Sequence, residues 1–255
     1  MKIISYNLNG LRSAVSKGLL DWLAVEAPDV LCVQEIKAGT APLDVSGFTA
    51  LGYRAYLYPA QKPGYSGVAT FSKIEPTNVA YGCGENCYDD EGRVLRLDFS
   101  DVSVLNTYMP SGTSSPERQA FKLEWLQFFR KYVAGLRQQG HQLLIGGDFN
   151  CCPTAIDLHN PKANQNTPGF TPEERQWFAD IMTDGFLDTF RHQHGDAPGH
   201  YSWWSYRAGS RGRNVGLRLD HWLADKVLQP RLTGAGLLPD AVHSDHCPAW
   251  VEVKM

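Results

Sequence analysis

The feature that most constrains this chain is an apolar run, Leu143–Gly146, that ends in Gly147-Asp148-Phe149-Asn150. A short apolar run closed by turn-forming residues predicts a buried strand. Asp148 and Asn150 lie two residues apart at its end, so both side chains can enter one cleft. An aspartate can take a proton from water, and an asparagine can donate hydrogen bonds to an oxyanion. Because Asp is also a common turn residue, the motif alone is equally compatible with a plain turn.

The same pattern recurs along the chain, which makes turns alone a poor explanation. Further apolar runs end in polar side chains, namely Asn7, Glu35, Tyr108, Asp220 and the pair Asp245-His246. With Asn9 they supply hard oxygen ligands, a possible base, neutral hydrogen-bond donors and one imidazole with a carboxylate partner. Hard oxygens favour magnesium or manganese over zinc. The set therefore indicates metal-assisted hydrolysis with water as the nucleophile.

Each residue of this set also has a plainer interpretation when it is taken alone. His246 could be structural, Glu35 a surface charge, Asp220 a cap at a strand end and Asn7 a turn residue. Their joint occurrence carries the prediction of a catalytic site. No Ser or Cys lies in a recognisable nucleophile turn.

Length and composition favour one large domain over residues 1–255. The chain is 43% hydrophobic, which allows a substantial core, and it shows no linker, repeat or low-complexity run. Its net charge of −3 argues against a protein that binds nucleic acids nonspecifically, but not against an enzyme that binds DNA through one basic face.

The cysteines and the N-terminus predict a cytoplasmic protein with reduced thiols. The start Met1-Lys2-Ile3-Ile4 does not resemble a signal peptide, and no apolar run is long enough to span a bilayer. Six cysteines could pair, but such a compartment keeps thiols reduced. Cys83 and Cys87 could form half a zinc site, yet no second Cys/His pair has convincing spacing.

The hydrophobic pattern predicts a mixture of strands and helices. Strands are expected over 2–7, 29–35, 53–58, 66–72, 94–99, 102–108, 142–147, 218–223, 231–237 and 248–254. Helices are expected over 116–138, 172–184 and, from a weaker pattern, 12–26. Some gaps between strands are too short for a helix, so two packed sheets with parallel and antiparallel pairs, covered by helices, are expected.

These motifs together resemble the endonuclease/exonuclease/phosphatase superfamily, and within it the exonuclease III-like apurinic/apyrimidinic endonucleases. The resemblance covers the whole chain. It rests on the segments 5–12, 33–37, 64–68, 91–93, 106–110, 147–150, 156–161, 169–175, 218–220 and 244–246. Two features separate the abasic-site branch from the others. One is Tyr108, at a position where phosphatase and sphingomyelinase relatives typically carry His, and the other is the block from Asn160 to Arg175.

The resemblance implies a fold and a set of catalytic roles. The fold is a four-layered α/β sandwich, with two packed mixed β-sheets flanked by helices. Magnesium, with manganese as a possible substitute, would be held by Glu35, helped by Asn9 and Asp245. Asp148 would align or deprotonate water. The other roles are stabilisation of the scissile phosphate by Asn7, Asn150 and His246, orientation of His246 by Asp220, and a phosphate contact from Tyr108.

The resemblance also implies a DNA-binding surface. Backbone contacts would come from Arg12, Lys37, Tyr65 and Arg93, and Asn160 and Asn164 would hold phosphates around the flipped-out sugar. Trp203 would form one wall of the abasic-site pocket, with Leu217 and Leu219 on the opposite wall. The chain departs from some relatives at Leu217, where Trp is familiar, and at Ser114 and Arg207, which replace residues that some members insert into the DNA.

The expected activity is DNA repair on double-stranded DNA with abasic sites or damaged 3′ ends. The protein would act without a membrane, as a monomer, in the cytoplasm and on the nucleoid of a prokaryote. It would cut 5′ to abasic sites in base excision repair, and would also trim 3′ ends and act as a 3′→5′ exonuclease. Alternatives are a phosphomonoesterase or lipid phosphodiesterase on the same fold, and a DNA-binding protein with a dead active site.

Overall fold

The computed structural model describes residues 1–255 without a gap. The strands are β1 (Lys2–Asn7), β2 (Val30–Gln34), β3 (Arg54–Tyr58), β4 (Val68–Ser72), β5 (Asn78–Tyr81), β6 (Val94–Phe99), β7 (Val102–Tyr108), β8 (Leu143–Asp148), β9 (Phe186–Asp188), β10 (Asp220–Asp225), β11 (Leu232–Leu237) and β12 (Ala249–Val253). The helices are α1 (Leu11–Ser16), α2 (Leu19–Glu26), α3 (Ser46–Ala50), α4 (Asn86–Asp89), α5 (Pro116–Gln138), α6 (Pro161–Asn164), α7 (Pro172–Thr183) and α8 (Thr189–His194). Short 3-10 helices cover Ala155–Asp157, Arg207–Gly209 and Lys226–Arg231.

The strands form two six-stranded mixed sheets. The first has the order β11-β12-β1-β2-β4-β3, and the second has the order β5-β6-β7-β8-β10-β9. The pairs β1–β2 and β7–β8 are parallel, and the others are antiparallel. In both parallel pairs the carboxyl ends lie at the same edge, so Asn7 ends beside Gln34, and Tyr108 ends beside Asp148.

Three buried apolar clusters hold the layers together. One lies between the two sheets and includes Ile3 and Leu144. A second joins Ile145 of the second sheet to α5 and α7, and a third joins Ile4 of the first sheet to α1, α2 and α3. Adjacent residues of one strand thus serve opposite layers, as the two-residue period of a strand requires. This arrangement confirms the predicted four-layered sandwich.

Most predicted elements lie within two residues of the observed ones, and the differences have local causes. β5 and β9 were not predicted, because four and three residues at the edges of a sheet are too few to show a period. The predicted helix 12–26 is two helices, since Gly18 has a φ of +89° and breaks the first. The predicted strand 218–223 is wrong in its bounds, because pairing with β8 begins only at Asp220.

The buried side of α5 differs from a simple apolar stripe. Its fully buried positions include a lysine, Lys122, whereas Phe121, Phe128 and Tyr132 are only half-buried. α7 buries Trp177, Phe178 and Ile181 as predicted. None of the helices combines the length and apolar character that crossing a bilayer requires.

Gly147 allows the carboxyl end of β8 to lie close against β7. Its φ is +148°, and a Cβ there would lie 1.7 Å from the carbonyl oxygen of Thr107 on the paired strand. Because a backbone atom cannot move aside as a flexible side chain can, the close approach requires glycine.

We expect Gly147→Ala to lower the free energy of unfolding by at least about 3 kcal/mol, since strand pairing and backbone geometry are both disturbed. The control is Gly135→Ala in α5, where no atom lies within 4 Å of the added Cβ. That change should stabilise the protein by about 0.5–1 kcal/mol through helix propensity. Urea unfolding measures both, and equal stability of the two variants would contradict this account of Gly147.

Candidate active site

The predicted catalytic residues converge at one edge of the sandwich, where both sheets present strand ends. Asn7, Tyr108 and Asp148 are the last residues of β1, β7 and β8, and Asp220 is the first residue of β10. β8 and β10 are antiparallel, and Asp220 pairs directly with Asp148. The fold therefore brings residues far apart in sequence to one place.

Asn7 connects the two sheets within this site. Its Nδ2 donates to Glu35 Oε1 at 2.9 Å and to Asp148 Oδ2 at 2.8 Å, and its Oδ1 accepts from the backbone N–H of Asn9 at 2.9 Å. Tyr108 donates its hydroxyl hydrogen to Glu35 Oε1 at 3.0 Å. The two carboxylates are thus held at fixed positions by neutral donors.

Asp148, His246 and Asp220 form a buried chain of charges. His246 Nδ1 lies 2.8 Å from Asp220 Oδ2, and its Nε2 lies 3.9 Å from Asp148 Oδ2. Burial lowers the pKa of His246, but the carboxylates of Asp220 and Asp148 outweigh it and raise the pKa to about 10. The imidazole is therefore a cation at neutral pH and can face a phosphate.

Burial also changes the acidity of Asp148. It raises the pKa of the carboxyl to about 7, against the opposing charge of His246. Asp148 Oδ1 accepts from the N–H of Asn150 at 2.8 Å, and Asn150 Nδ2 donates to the carbonyl oxygen of Met109 at 3.0 Å. A carboxylate with a pKa near neutral pH is matched to work as a general base.

The predicted metal ligands lie together on the other side of Asn7. Asn9 Nδ2 donates to Asp245 Oδ1 at 3.0 Å, and Trp203 Nε1 donates to Asp245 Oδ2 at 3.0 Å. Lys37 Nζ lies 2.8 Å from Glu35 Oε2 and also donates to Asn9 Oδ1. Oxygen atoms of Glu35 and Asn9 therefore converge on one position, which the positively charged Lys37 Nζ occupies.

The donor set fits a hard metal ion. Ligand atoms of Glu35, Asp148 and His246 lie within 4.8 Å of one another. Because His246 is protonated, the oxygens are the better ligands. Burial acts to raise the pKa of Glu35, but Lys37 lowers it overall, so the carboxylate is ionised. Carboxylate and amide oxygens are the ligands that magnesium prefers.

Backbone strain is concentrated at this site. Among nine non-glycine residues with positive φ, four lie here, namely Asn9, Glu35, Lys37 and Asn150. Such conformations persist only where the surroundings enforce them, and they cluster at functional sites.

Arg93 and Tyr65 belong to a network behind Tyr108. Arg93 is 2% exposed, donates to the carbonyl oxygen of Tyr108 at 2.8 Å and lies over its ring. Arg93 and Arg118 both bind Glu91, and both donate to the hydroxyl of Tyr65. This burial does not favour the predicted contact of Arg93 with the DNA backbone.

The predicted pocket residues lie beside the metal ligands. Trp203 pairs with Leu217 and with His246 through isolated bridges. The side chains of Trp203 and Leu217 pack against a small buried cluster formed by Cys152, Leu158, Phe170 and Leu219. Asn160 and Asn164 lie in the adjoining segment, where Asn164 Nδ2 donates to the carbonyl oxygen of Asn160.

The remaining predicted DNA contacts, Arg12 and Arg207, are exposed. Arg12 donates to the carbonyl oxygens of Ala41 and Pro42. Arg207 lies in a 3-10 helix next to Ala208, which has a φ of +54°.

Several residues of the site were missed from the sequence. Ser202 donates to Asp220 Oδ2 at 2.7 Å, and nothing in its local sequence indicates this role. Leu158 lies just before the Asn160–Arg175 block and Phe170 lies within it, and neither carries a polar signal. Glu91 and Arg118 are charges close to the Arg93 network, yet only the fold joins α5 to that loop.

Comparison with known proteins shows the family to which this chain belongs. Residues 4–246 match the endonuclease/exonuclease/phosphatase family. An exodeoxyribonuclease of Bacillus subtilis is 41% identical over 256 aligned positions, covering 100% of both chains. The DNA repair nuclease APEX1 of Danio rerio is 40% identical over 97% of this chain and 80% of its own length.

Solved structures share the whole fold. An AP endonuclease from Archaeoglobus fulgidus has a TM-score of 0.91 and 29% identity, covering 100% of both chains. A 3′ phosphatase from Neisseria, bound to a product DNA hairpin, has a TM-score of 0.92 and 27% identity over 100% of both chains. The chain belongs to the endonuclease/exonuclease/phosphatase family.

Asp220→Asn should lower the pKa of His246 from about 10 by at least about one unit, because a carboxylate that stabilises the imidazolium is lost. The control is Asp188→Asn, whose carboxylate binds Arg218 and makes no hydrogen bond with His246. An NMR titration of the His246 ring proton measures both variants. An unchanged His246 pKa in Asp220→Asn would show that this pair does not set the charge.

Proposed function

We propose that this chain is a magnesium-dependent DNA-repair phosphodiesterase that cuts the DNA backbone 5′ to abasic sites. It also acts as a 3′→5′ exonuclease and trims damaged 3′ ends. The observation that carries the proposal is the convergence of Glu35, Asp148 and His246 within 4.8 Å. Together they offer an oxygen ligand, a base and a cation, which is what hydrolysis of a phosphodiester by water requires.

Each residue of the site has a defined task in this proposal. Asp148 aligns water and takes its proton, and His246, held as a cation by Asp220, stabilises charge on the scissile phosphate. Asn7 and Asn150 both donate to Asp148 and fix its orientation. In this proposal they also stabilise charge on the scissile phosphate. Tyr108 orients Glu35 and faces the same phosphate.

Glu35, Asn9 and Asp245 would hold the magnesium, for which manganese can substitute. When bound, such an ion neutralises negative charge that develops on the phosphoryl oxygens. Lys37 contacts two of these ligands, Glu35 and Asn9. With the ion in place, Lys37 would be free to meet the DNA backbone together with Arg12.

Recognition of damage is assigned to Trp203 and Leu217. A missing base leaves a small sugar that costs less to flip out than a paired nucleotide. The cluster around Trp203 is apolar and adjoins Asp245, so a bare sugar can be enclosed next to the metal ligands. Because Leu217 is smaller than Trp, this pocket admits 3′-terminal nucleotides, in agreement with the similarity to a Neisseria 3′ phosphatase. Asn160 and Asn164 hold the flanking phosphates.

The protein is proposed to act as a monomer on double-stranded DNA, in the cytoplasm and on the nucleoid of a prokaryote. Six free cysteines and a bacterial exodeoxyribonuclease among the relatives support this location.

We expect a duplex with one abasic analogue to be nicked 5′ to that site, to resist cleavage after chelation, and to be cut again when magnesium or manganese is restored. Glu35→Gln keeps the size of the side chain but removes its charge, so the magnesium concentration for half-maximal rate should rise at least about tenfold. The control is the exposed Glu75→Gln. A quantitative nicking assay measures each rate.

The same assay separates the alternatives. A DNA-binding protein with a dead site would bind the duplex without cutting it in any metal. A phosphomonoesterase would release 3′ phosphate and leave internal bonds intact. Either result would contradict the proposed activity.

Trp203→Ala should lower cleavage at abasic sites more than it lowers binding of intact duplex, whereas Leu217→Trp should narrow the range of substrates toward abasic sites. Single-turnover cleavage of abasic, normal 3′-end and 3′-blocked duplexes measures both. Trp203→Phe is the comparison variant, because it keeps an aromatic ring in the wall but removes the hydrogen bond to Asp245 together with part of the ring area. The same fold change on all three substrates would show that neither residue lines a selective pocket.

A further inference from the structure

A buried ion pair lies directly behind the catalytic turn at the end of β8. Lys122 of α5 and Glu174 of α7 are both fully buried, and Lys122 Nζ lies 2.6 Å from Glu174 Oε1. The same Nζ donates to the carbonyl oxygen of Asn150 at 2.7 Å. The ammonium group of Lys122 therefore connects α5 and α7 to Asn150, two residues after Asp148.

Glu174 extends this network to the segment before α7, which adjoins the proposed pocket. Its Oε2 accepts from the backbone N–H groups of Gly169 and Thr171, both at 2.8 Å. The carbonyl oxygen of Gly169 in turn accepts from the N–H of Cys152 at 2.7 Å. One carboxylate thus fixes the segment before α7, which includes the pocket residue Phe170, against the chain that leaves β8.

Asn150 needs such support because of its backbone. Its φ is +51°, a conformation that costs energy in a residue with a side chain. Its N–H and its Nδ2 both bind Asp148, so any rotation of Asn150 would move the carboxylate. The carbonyl oxygen of Asn150 is the remaining backbone anchor, and Lys122 holds it.

Stability is a weak reason for a pair of this kind. Removing two charges from water costs about as much as their attraction returns, and apolar residues of similar size often serve as well. Position is the better reason, because a base displaced by about 1 Å can lose about a hundredfold in rate.

We propose that Lys122 is a positioning residue, which fixes Asn150 and thereby the carboxylate of Asp148, and which Glu174 couples to the pocket segment. The proposal rests on the proposed function, since it assigns Asp148 the role of base. It predicts a loss in kcat rather than in KM, because Lys122 is fully buried, out of reach of DNA, and binds Asn150 and Glu174 instead of the proposed metal ligands.

The test is the double variant Lys122→Met/Glu174→Gln, which leaves no buried charge unpaired and keeps an oxygen for the N–H groups of Gly169 and Thr171. On the abasic duplex we expect kcat to fall about 10- to 100-fold, with KM within about twofold of the wild type.

The matched control is Arg130→Met/Asp184→Asn. It removes the two partly exposed ion pairs that Arg130 of α5 makes near the end of α7, with Asp180 at 2.6 Å and with Asp184 at 2.5 Å, and neither pair contacts Asn150. Circular dichroism and urea unfolding establish that each variant is folded. A folded Lys122→Met/Glu174→Gln with wild-type kcat, or with a loss confined to KM or equal to that of the control, would overturn the proposal.

A second neutral pair, Lys122→Gln/Glu174→Gln, is used if the first does not fold. Glutamine is too short to keep the bond to Asn150, so the same loss of kcat is expected. Failure of both pairs to fold would also overturn the proposal, since the ion pair would then be required for folding. Absence of nicking by the wild type would instead contradict the proposed function, so the two failures are distinguishable.

Discussion

The amide group of Asn7 is the interaction on which the rest of the site depends. It donates one hydrogen to a carboxylate of its own sheet, Glu35, and the other to a carboxylate of the opposite sheet, Asp148. The two carboxylates have oxygen atoms within 4.8 Å of each other and repel. A neutral donor between them fixes their spacing without cancelling either charge. The proposed metal ligand Glu35 and the proposed base Asp148 are therefore held in place by one side chain.

The charge balance around Asn7 explains why a divalent cation suits this chain. The site has four carboxylates, those of Glu35, Asp148, Asp220 and Asp245, but only two cations, Lys37 and His246. Because the pKa of Asp148 is about 7, the excess is between one and two negative charges at neutral pH, and it would repel a phosphate at the proposed site. A divalent ion removes this excess, so the acidic character of the protein is compatible with a DNA substrate.

Supporting networks keep the functional side chains in place from behind. Arg93 holds Tyr108, Ser202 holds Asp220, and Lys122 holds Asn150. Each supporting group is buried and far in sequence from the residue that it holds. The strained turns at Glu35 and Asn150 persist because several such contacts restrain them at once.

The sequence by itself determined the approximate course of ten of the twelve strands, the two longest helices and the chemical types at the site, because each depends on residues close together in the chain. Asp148 and Asn150 belong to one short motif, and α5 begins at Pro116 as its cap predicts. The sequence could not show that Arg93 is buried, that Lys122 lies on the inner face of α5, or that Ser202 supports Asp220. These facts were decided by tertiary structure alone, because hydrogen bonds between distant segments depend on how the two sheets and their helices pack, and no local pattern records that packing.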